Sequence, residues 1–374
     1  MSFGIKWKGP TLDPSGYGTA NRDYVDALYR VGTDITVQPW NFENKSVDFY
    51  GEQGKLIESL KNKDIDYDVV VHHYVPNRPA PEAGKFNVGY NTWETDSLPD
   101  NWVDKMNRSF DLVLVPSHFN KEVYRNSGVK VPVEVVPHCL DTSEFEIAKP
   151  AKIPGFERHY KFLSVFQWTE RKNPIGLLKA YFTGFYDRND VVLVLKTYGS
   201  NTSKDQRNKI KQMIENIKKD LRFDPNRLPP IYFLGDLISR ETMTSVYKGC
   251  DCFVLPTRGE GFGLPFAEAL AANMQVVAPK QGGQIDILEP QELTGYLPCI
   301  HGQWTPVSGM PWIPNYNGLM NWYDPNILEF RDMMIEAEEM KTPHTIMQPS
   351  EHMTINFNHE TVGTKFYTTI EKYL

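Results

Sequence analysis

The chain has 374 residues, 40% of them hydrophobic and 23% charged, with a formal net charge of −7. That length exceeds one ordinary hydrophobic core and suits two domains of common size. The balance excludes a collagen, a coiled coil or a disordered chain, and it weighs against a protein whose main task is gripping nucleic acid, although a local basic patch stays compatible with it.

The first residues, Met1 to Lys8, contain no long apolar stretch, and no segment approaches the ~20 apolar residues of a membrane span. Neither a secretory signal nor stable membrane insertion is expected. The cysteines (Cys139, Cys250, Cys252, Cys299) are scattered, so no disulfide framework is indicated. Cys250-Asp251-Cys252 lacks the second pair of a metal site and reads as small residues entering a strand. A reducing, cytoplasmic location is the expectation.

In chain order, β-rich runs are expected at 3–8, 34–39, 67–72, 86–91, 111–115 and 133–136, with helices at 19–29, 54–61, 101–109 and 118–126. The strand runs are continuous rather than alternating (Val69-Val70-Val71, Leu112-Val113-Leu114-Val115), which suits parallel strands buried on both faces. The pattern restarts with strands at 162–168, 191–196, 231–234, 252–255, 275–278 and 296–299, and helices at 204–219, 240–248, 264–272 and 284–288. Asn173-Pro174 supplies an N-cap and a first helical proline for a further helix. Two βα series in tandem imply an α/β protein with two parallel sheets. The boundary is placed near residue 150, giving domains 1–150 and 151–354. A last amphipathic helix (Val362, Phe366, Ile370, Leu374) lies within 355–374 and can pack back on the first domain. Residues 301–326, rich in Pro, Trp, Tyr and Asn, read as an irregular surface excursion.

The most informative stretch runs from Asp251 to Ala272: a buried strand, a turn carrying Gly259, Gly261 and Gly263, then a helix. In an open parallel sheet, ligands collect at the carboxyl ends of strands, and a helix start there offers free N–H groups and a positive dipole end to a phosphate. Glu260, before the helix, can accept hydrogen bonds from sugar hydroxyls, and Glu268, inside it, can reach a ribose diol. As an isolated spacing they would be surface carboxylates; the glycines, Pro265 and the preceding strand make the binding reading stronger.

Glu260-Gly-Phe-Gly-Leu-Pro-Phe-Ala-Glu268-Ala-Leu-Ala resembles the E-x7-E signature of the GT-B family of retaining glycosyltransferases, which includes glycogen-synthase-like, mannosyl- and glucosyltransferase enzymes. The resemblance covers 162–279 well and the first domain more loosely. It implies two Rossmann-like domains facing each other across a deep cleft. It also implies a nucleotide diphosphate sugar as donor substrate, a hexose-type sugar transferred to an unidentified hydroxyl acceptor (glycan, lipid or other), and retained configuration without an essential metal or cofactor. It assigns Glu260 to the donor sugar, Glu268 to the ribose, and the backbone of Gly261, Phe262, Gly263 and Leu264 to the diphosphate. Lys172 and Arg171, after the strand at 162–168, match the cations that stabilise a leaving diphosphate. The usual Arg stands five positions before the Lys, where this chain has Gln167. Leu237 and Ile238 correspond to the segment that receives the base, and Gly16 and Gly18 to a loop facing the donor phosphates. After the signature helix the family commonly has Gly and then Pro, where this chain has Asn273 and Gln275.

Three strand ends of the first domain point to one rim: His72-His73, the Tyr90 to Thr95 segment, and Ser117-His118. Glu94 and His73 rank first there for orienting an acceptor hydroxyl or the donor sugar. The D-x-D patterns at Asp64, Asp66 and Asp68 precede a strand, the wrong end for a ligand, and are rejected as a metal site. Three alternatives remain: a glycosyltransferase acting on modified bases of viral DNA, with nucleic acid entering only as acceptor; a sugar-nucleotide epimerase; and a non-enzymatic sugar-nucleotide binder.

Overall fold

The structure is a computed structural model that describes residues 3–40, 45–77, 79–288, 300–311, 313–341 and 348–374. The chain forms two compact units, one of residues 1–142 with 353–374 and one of residues 143–352. The division falls before residue 150 because the short helix starting at Ser143 belongs to the second unit: its Phe145 is 1% exposed, with its ring 6.2 Å from that of Tyr247.

The first unit runs β1 (Ile5–Gly9), α1 (Gly16–Arg30), β2 (Ile35–Pro39), α2 (Gly51–Leu60), β3 (Val69–His73), β4 (Phe86–Tyr90), α3 (Asp100–Ser109), β5 (Leu112–Val115), α4 (His118–Asn126) and β6 (Val133–Val135). Its strands form a parallel sheet of order β2-β1-β3-β4-β5-β6. Val69, Val70, Val71 and every residue of β5 are fully buried, as expected of strands covered on both faces.

The second unit runs α5 (Ser143–Ile147), β7 (Tyr160–Gln167), α6 (Pro174–Gly184), β8 (Val191–Tyr198), α7 (Lys204–Asp220), β9 (Ile231–Leu234), α8 (Arg240–Lys248), β10 (Cys252–Val254), α9 (Leu264–Ala271), β11 (Gln275–Val277) and α10 (Ile285–Leu288). Its sheet, also parallel, has the order β11-β10-β7-β8-β9. The segment expected to be irregular instead contains β12 (Gly302–Pro306) and β13 (Asn321–Pro325), an antiparallel pair with Trp322 only 2% exposed. The proline-rich connection hides that pairing from sequence periodicity. Helix α11 (Ile327–Met340), capped by Asn326, follows. The strand expected at 296–299 lies outside the described residues.

Two helices end the chain, α12 (Pro349–Asn356) and α13 (His359–Glu371). In the first unit α13 lies on α1, where a Cβ at Gly363 would stand 2.5 Å from the Ala27 carbonyl oxygen. Val362, Phe366 and Ile370, all fully buried, complete the core around Trp7, Tyr24 and Leu28. The Phe3 and Tyr367 rings stack at 4.1 Å.

Candidate active site

In the second sheet the chain steps outward from β7 through β8 to β9, then returns to the other side of β7 with β10. Loops leaving the carboxyl ends of such a strand pair turn to opposite faces and open a crevice between them. The segment after β7 and the glycine-rich loop after β10 leave at that point.

After β7, residues Glu170–Lys172 make a single 3-10 turn, and Asn173 follows in the left-handed region (φ 53°). Asn173 caps α6 by accepting from the Gly176 N–H at 3.1 Å, with Pro174 at the first helical position as expected. This turn aims Lys172 and Arg171 at the neighbouring loop. The Lys172 ammonium is ion-paired with the Glu260 carboxylate, and Arg171 Nη1 lies 3.7 Å from the second Glu260 oxygen. Arg171 also donates to the Gly259 carbonyl at 2.6 Å. Lys172 and Glu260 are 8% and 6% exposed. Burial pushes the Glu260 carboxyl up, but Lys172 and then Arg171 outweigh it and hold the group below its ordinary value. Glu260 is therefore an anion, paired with a cation in buried surroundings.

Gly263 sits at φ 94°, the left-handed region that favours glycine, and from there α9 starts with Leu264 and Pro265 and no side-chain cap. One helical turn on, Glu268 is ion-paired with Arg240 at the start of α8, and Arg240 Nε also donates to Glu144 at 2.7 Å. Leu237 and Ile238 lie in the loop between β9 and α8, Leu237 being 46% exposed. The residues placed by the resemblance thus lie on three loops at the carboxyl end of this sheet, with Leu264 and Glu268 in the helix that follows one of them.

Several contributors left no readable mark on the sequence. The Gly282-Gly283-Gln284 turn after β11 supports the glutamate loop from below: Gly283 N–H donates to Glu260 O at 2.7 Å, and a Cβ on Gly283 would stand 1.9 Å from the Gly261 carbonyl oxygen. Arg240 lies 28 positions from Glu268. Lys196, buried near the carboxyl end of β8, is a lysine inside an apolar run and carries no spacing that marks it; burial lowers its pKa. A double glycine after a short strand was the one available signal.

The first-unit candidates fall at the carboxyl end of their own sheet. Gly16 and Gly18 do not form a loop: Ser15 caps α1, so both lie in its first turn. Gly18 is there for space, since a Cβ would stand 1.9 Å from the Asp13 carbonyl oxygen. Glu94 is half-buried in the loop after β4. His73 ends β3 but is 0% exposed, ringed by Trp7, Tyr24, Tyr90 and His138 at 4.6 to 6.3 Å between ring centres. Burial, then the His138 ring, pushes its pKa well below the ordinary range. A neutral imidazole enclosed this way cannot touch an acceptor hydroxyl unless those rings move, so the structure makes His73 a core residue. Among the described residues no group of three or more His, Cys, Asp or Glu side chains could hold a metal ion. None of the described helices is long and apolar enough to cross a membrane.

Residues 146–299 match the family described as glycosyl transferases group 1. A curated relative, "Putative glycosyltransferase 45" of Sulfolobus islandicus filamentous virus (isolate Iceland/Hveragerdi), is 23% identical over 239 residues, covering 60% of this chain and 59% of the relative's length. Among solved structures, the Anabaena Alr3699/HepE complex with UDP and glucose superposes with a TM-score of 0.64 at 14% identity, covering 99% of this chain and 100% of that one. Sucrose-phosphate synthase from Thermosynechococcus elongatus gives 0.63 at 14% identity, covering 99% and 98%. An E. coli trehalose-6-phosphate structure bound with UDP-2-fluoro glucose gives 0.63 at 12% identity, covering 98% and 99%.

Proposed function

We propose that this chain, a glycosyltransferase with a group 1 domain in a GT-B fold, moves a hexose-type sugar from a nucleotide diphosphate sugar to a hydroxyl acceptor, with retained configuration and no metal. The observation that carries this reading is the meeting of Lys172, Arg171 and Glu260 at the reversal point of the second sheet. Breaking the sugar–phosphate bond leaves negative charge on a diphosphate, and two cations held there take it up. Each such charged hydrogen bond contributes about 1.5–3 kcal/mol. The incoming diphosphate competes with Glu260 for Lys172, which frees Glu260 to receive donor-sugar hydroxyls.

In the same reading the backbone from Gly261 to Leu264 holds the phosphates, Glu268 holds the ribose, and Leu237 and Ile238 flank the base. Glu94 is the acceptor-side candidate of the first unit. The UDP and UDP-glucose complexes of HepE make UDP-sugars the first donors to try. Buried free thiols at Cys139, Cys250 and Cys252 favour a reducing, cytoplasmic setting.

The test is a thermal-shift screen against UDP-, GDP-, ADP- and CDP-sugars, repeated with Lys172→Ala and Glu268→Ala. A donor at ~100 times its dissociation constant stabilises the native state by about 2.7 kcal/mol. One nucleotide series should shift the wild type and fail to shift the folded variants. No shift of the wild type with any of them would sink the donor-binding reading.

A further inference from the structure

Beside the proposed site stands a residue that ties it to the β12–β13 pair. Arg258 lies two positions before Glu260, and its side chain is 16% exposed. Its Nη1 donates to Glu170 twice, to the carboxylate at 2.6 Å and to the carbonyl at 2.7 Å. Its Nε donates to Asp324 of β13 at 2.6 Å, and the guanidinium lies 5.5 Å from the centre of the Trp322 ring. The backbone is engaged as well: Arg258 N–H donates to Arg171 O at 2.7 Å, and Arg258 O accepts from Tyr323 N–H at 2.8 Å.

One residue therefore joins three segments: the turn bearing Arg171 and Lys172, the loop bearing Glu260, and the β12–β13 hairpin. The turn needs such help. It is three residues long, its preceding residue makes no side-chain cap, and it must present two like charges side by side. Glu170, at the head of the turn, is gripped by Arg258 on its carboxylate and its carbonyl together, which fixes its backbone as well as its side chain. Asp324 holds the far side of the guanidinium and is itself carried on a paired strand, so the clamp is anchored outside the site.

We infer that Arg258 is a positioning residue for the Arg171–Lys172 cation pair, and that the β12–β13 hairpin is the buttress that holds it through Asp324. The inference rests on the donor-site reading above. Arg258 touches no reacting atom; it sets where the two cations stand when the diphosphate arrives, and preorganisation of this kind is lost when a supporting group is removed.

The test compares UDP and UMP binding by calorimetry in wild type, Arg258→Met, Arg258→Lys and Asp324→Asn, with hydrogen exchange at residues 169–173 measured in parallel. The UDP-over-UMP preference reports the grip on the terminal phosphate. It should fall about tenfold in Arg258→Met, recover in part in Arg258→Lys, which can span only one of the two carboxylates, and fall less in Asp324→Asn. UMP affinity should stay nearly constant, whereas general damage to the fold would weaken both nucleotides alike. Exchange at Lys172 and Asn173 should quicken in Arg258→Met and in Asp324→Asn, and the second variant keeps the test decisive if the first fails to fold. Unchanged exchange and an unchanged preference in both folded variants would overturn the inference. If Lys172→Ala leaves the preference untouched, or wild type binds neither nucleotide, while exchange still quickens in the clamp variants, the donor reading fails and the clamp stands as a clamp of the turn alone.

Discussion

The Lys172–Glu260 pair brings two opposite charges together in buried surroundings. Breaking a buried pair by neutralising one partner leaves the other charge uncompensated, typically at a cost of 3–5 kcal/mol. Glu260→Gln leaves both Lys172 and Arg171 without their carboxylate, whereas Lys172→Ala leaves Glu260 with Arg171 at 3.7 Å. Urea denaturation should show the first variant losing about 3 kcal/mol and the second clearly less; the reverse order would contradict the pairing. Because Glu260 is held below its ordinary value of 4.5, its contribution is present above that value and lost as pH falls through the lower folded one. Glu260→Gln should accordingly flatten the acid limb of the stability profile. In a transfer assay, Lys172→Ala should lower kcat by about 10²–10³-fold, the usual effect of removing one preorganised transition-state donor. At this scale the signature residues were legible because they are contiguous, while Arg240 and Arg258 were not: their partners lie far along the chain, and no local spacing encodes that.

Among the elements, the strands of both sheets could be read from the sequence, since continuous apolar runs of four to eight residues fit little else in a βα series. Helix α1 starts earlier than expected because Ser15 caps it and two glycines made its first turn look like a loop. The β12–β13 hairpin is not legible in the sequence because its pairing joins residues on either side of a long connection rather than across a tight turn. The Gly282-Gly283 turn is the element most exposed to a single change. A methyl at Gly283 has no room against Gly261, so Gly283→Ala must displace the glutamate loop at about 1–3 kcal/mol, the usual range for overpacking. The expected readout is a lowered melting temperature together with a lost donor-induced shift; a variant that keeps both would show the loop free to move.

For the whole molecule, residues 353–374 belong with the first unit although they close the chain. His359, 3% exposed, lies 3.8 Å from both Asp23 and Asp26 of α1. Burial opposes its charge, but Asp23 and Asp26 more than offset that and raise its pKa above 6.5. Its stabilising share is therefore complete below pH 6.5 and disappears as pH rises through the folded value. The melting-temperature gap between wild type and His359→Gln should be wider in acid than in alkaline buffer; a constant gap would remove the charge from the account. The sequence by itself determined the α/β class, the two sheets and the glycine-rich turn with its two glutamates, because each is written in local periodicity or in one contiguous motif. Only the tertiary structure decided that Lys172 meets Glu260 across 88 positions, that Arg258 reaches Asp324 across 66, and that Phe3 packs with Tyr367 across 364. Those meetings depend on strand order and on which loops close upon one another, and both are settled by the packing of the whole sheet rather than by any stretch of residues along it.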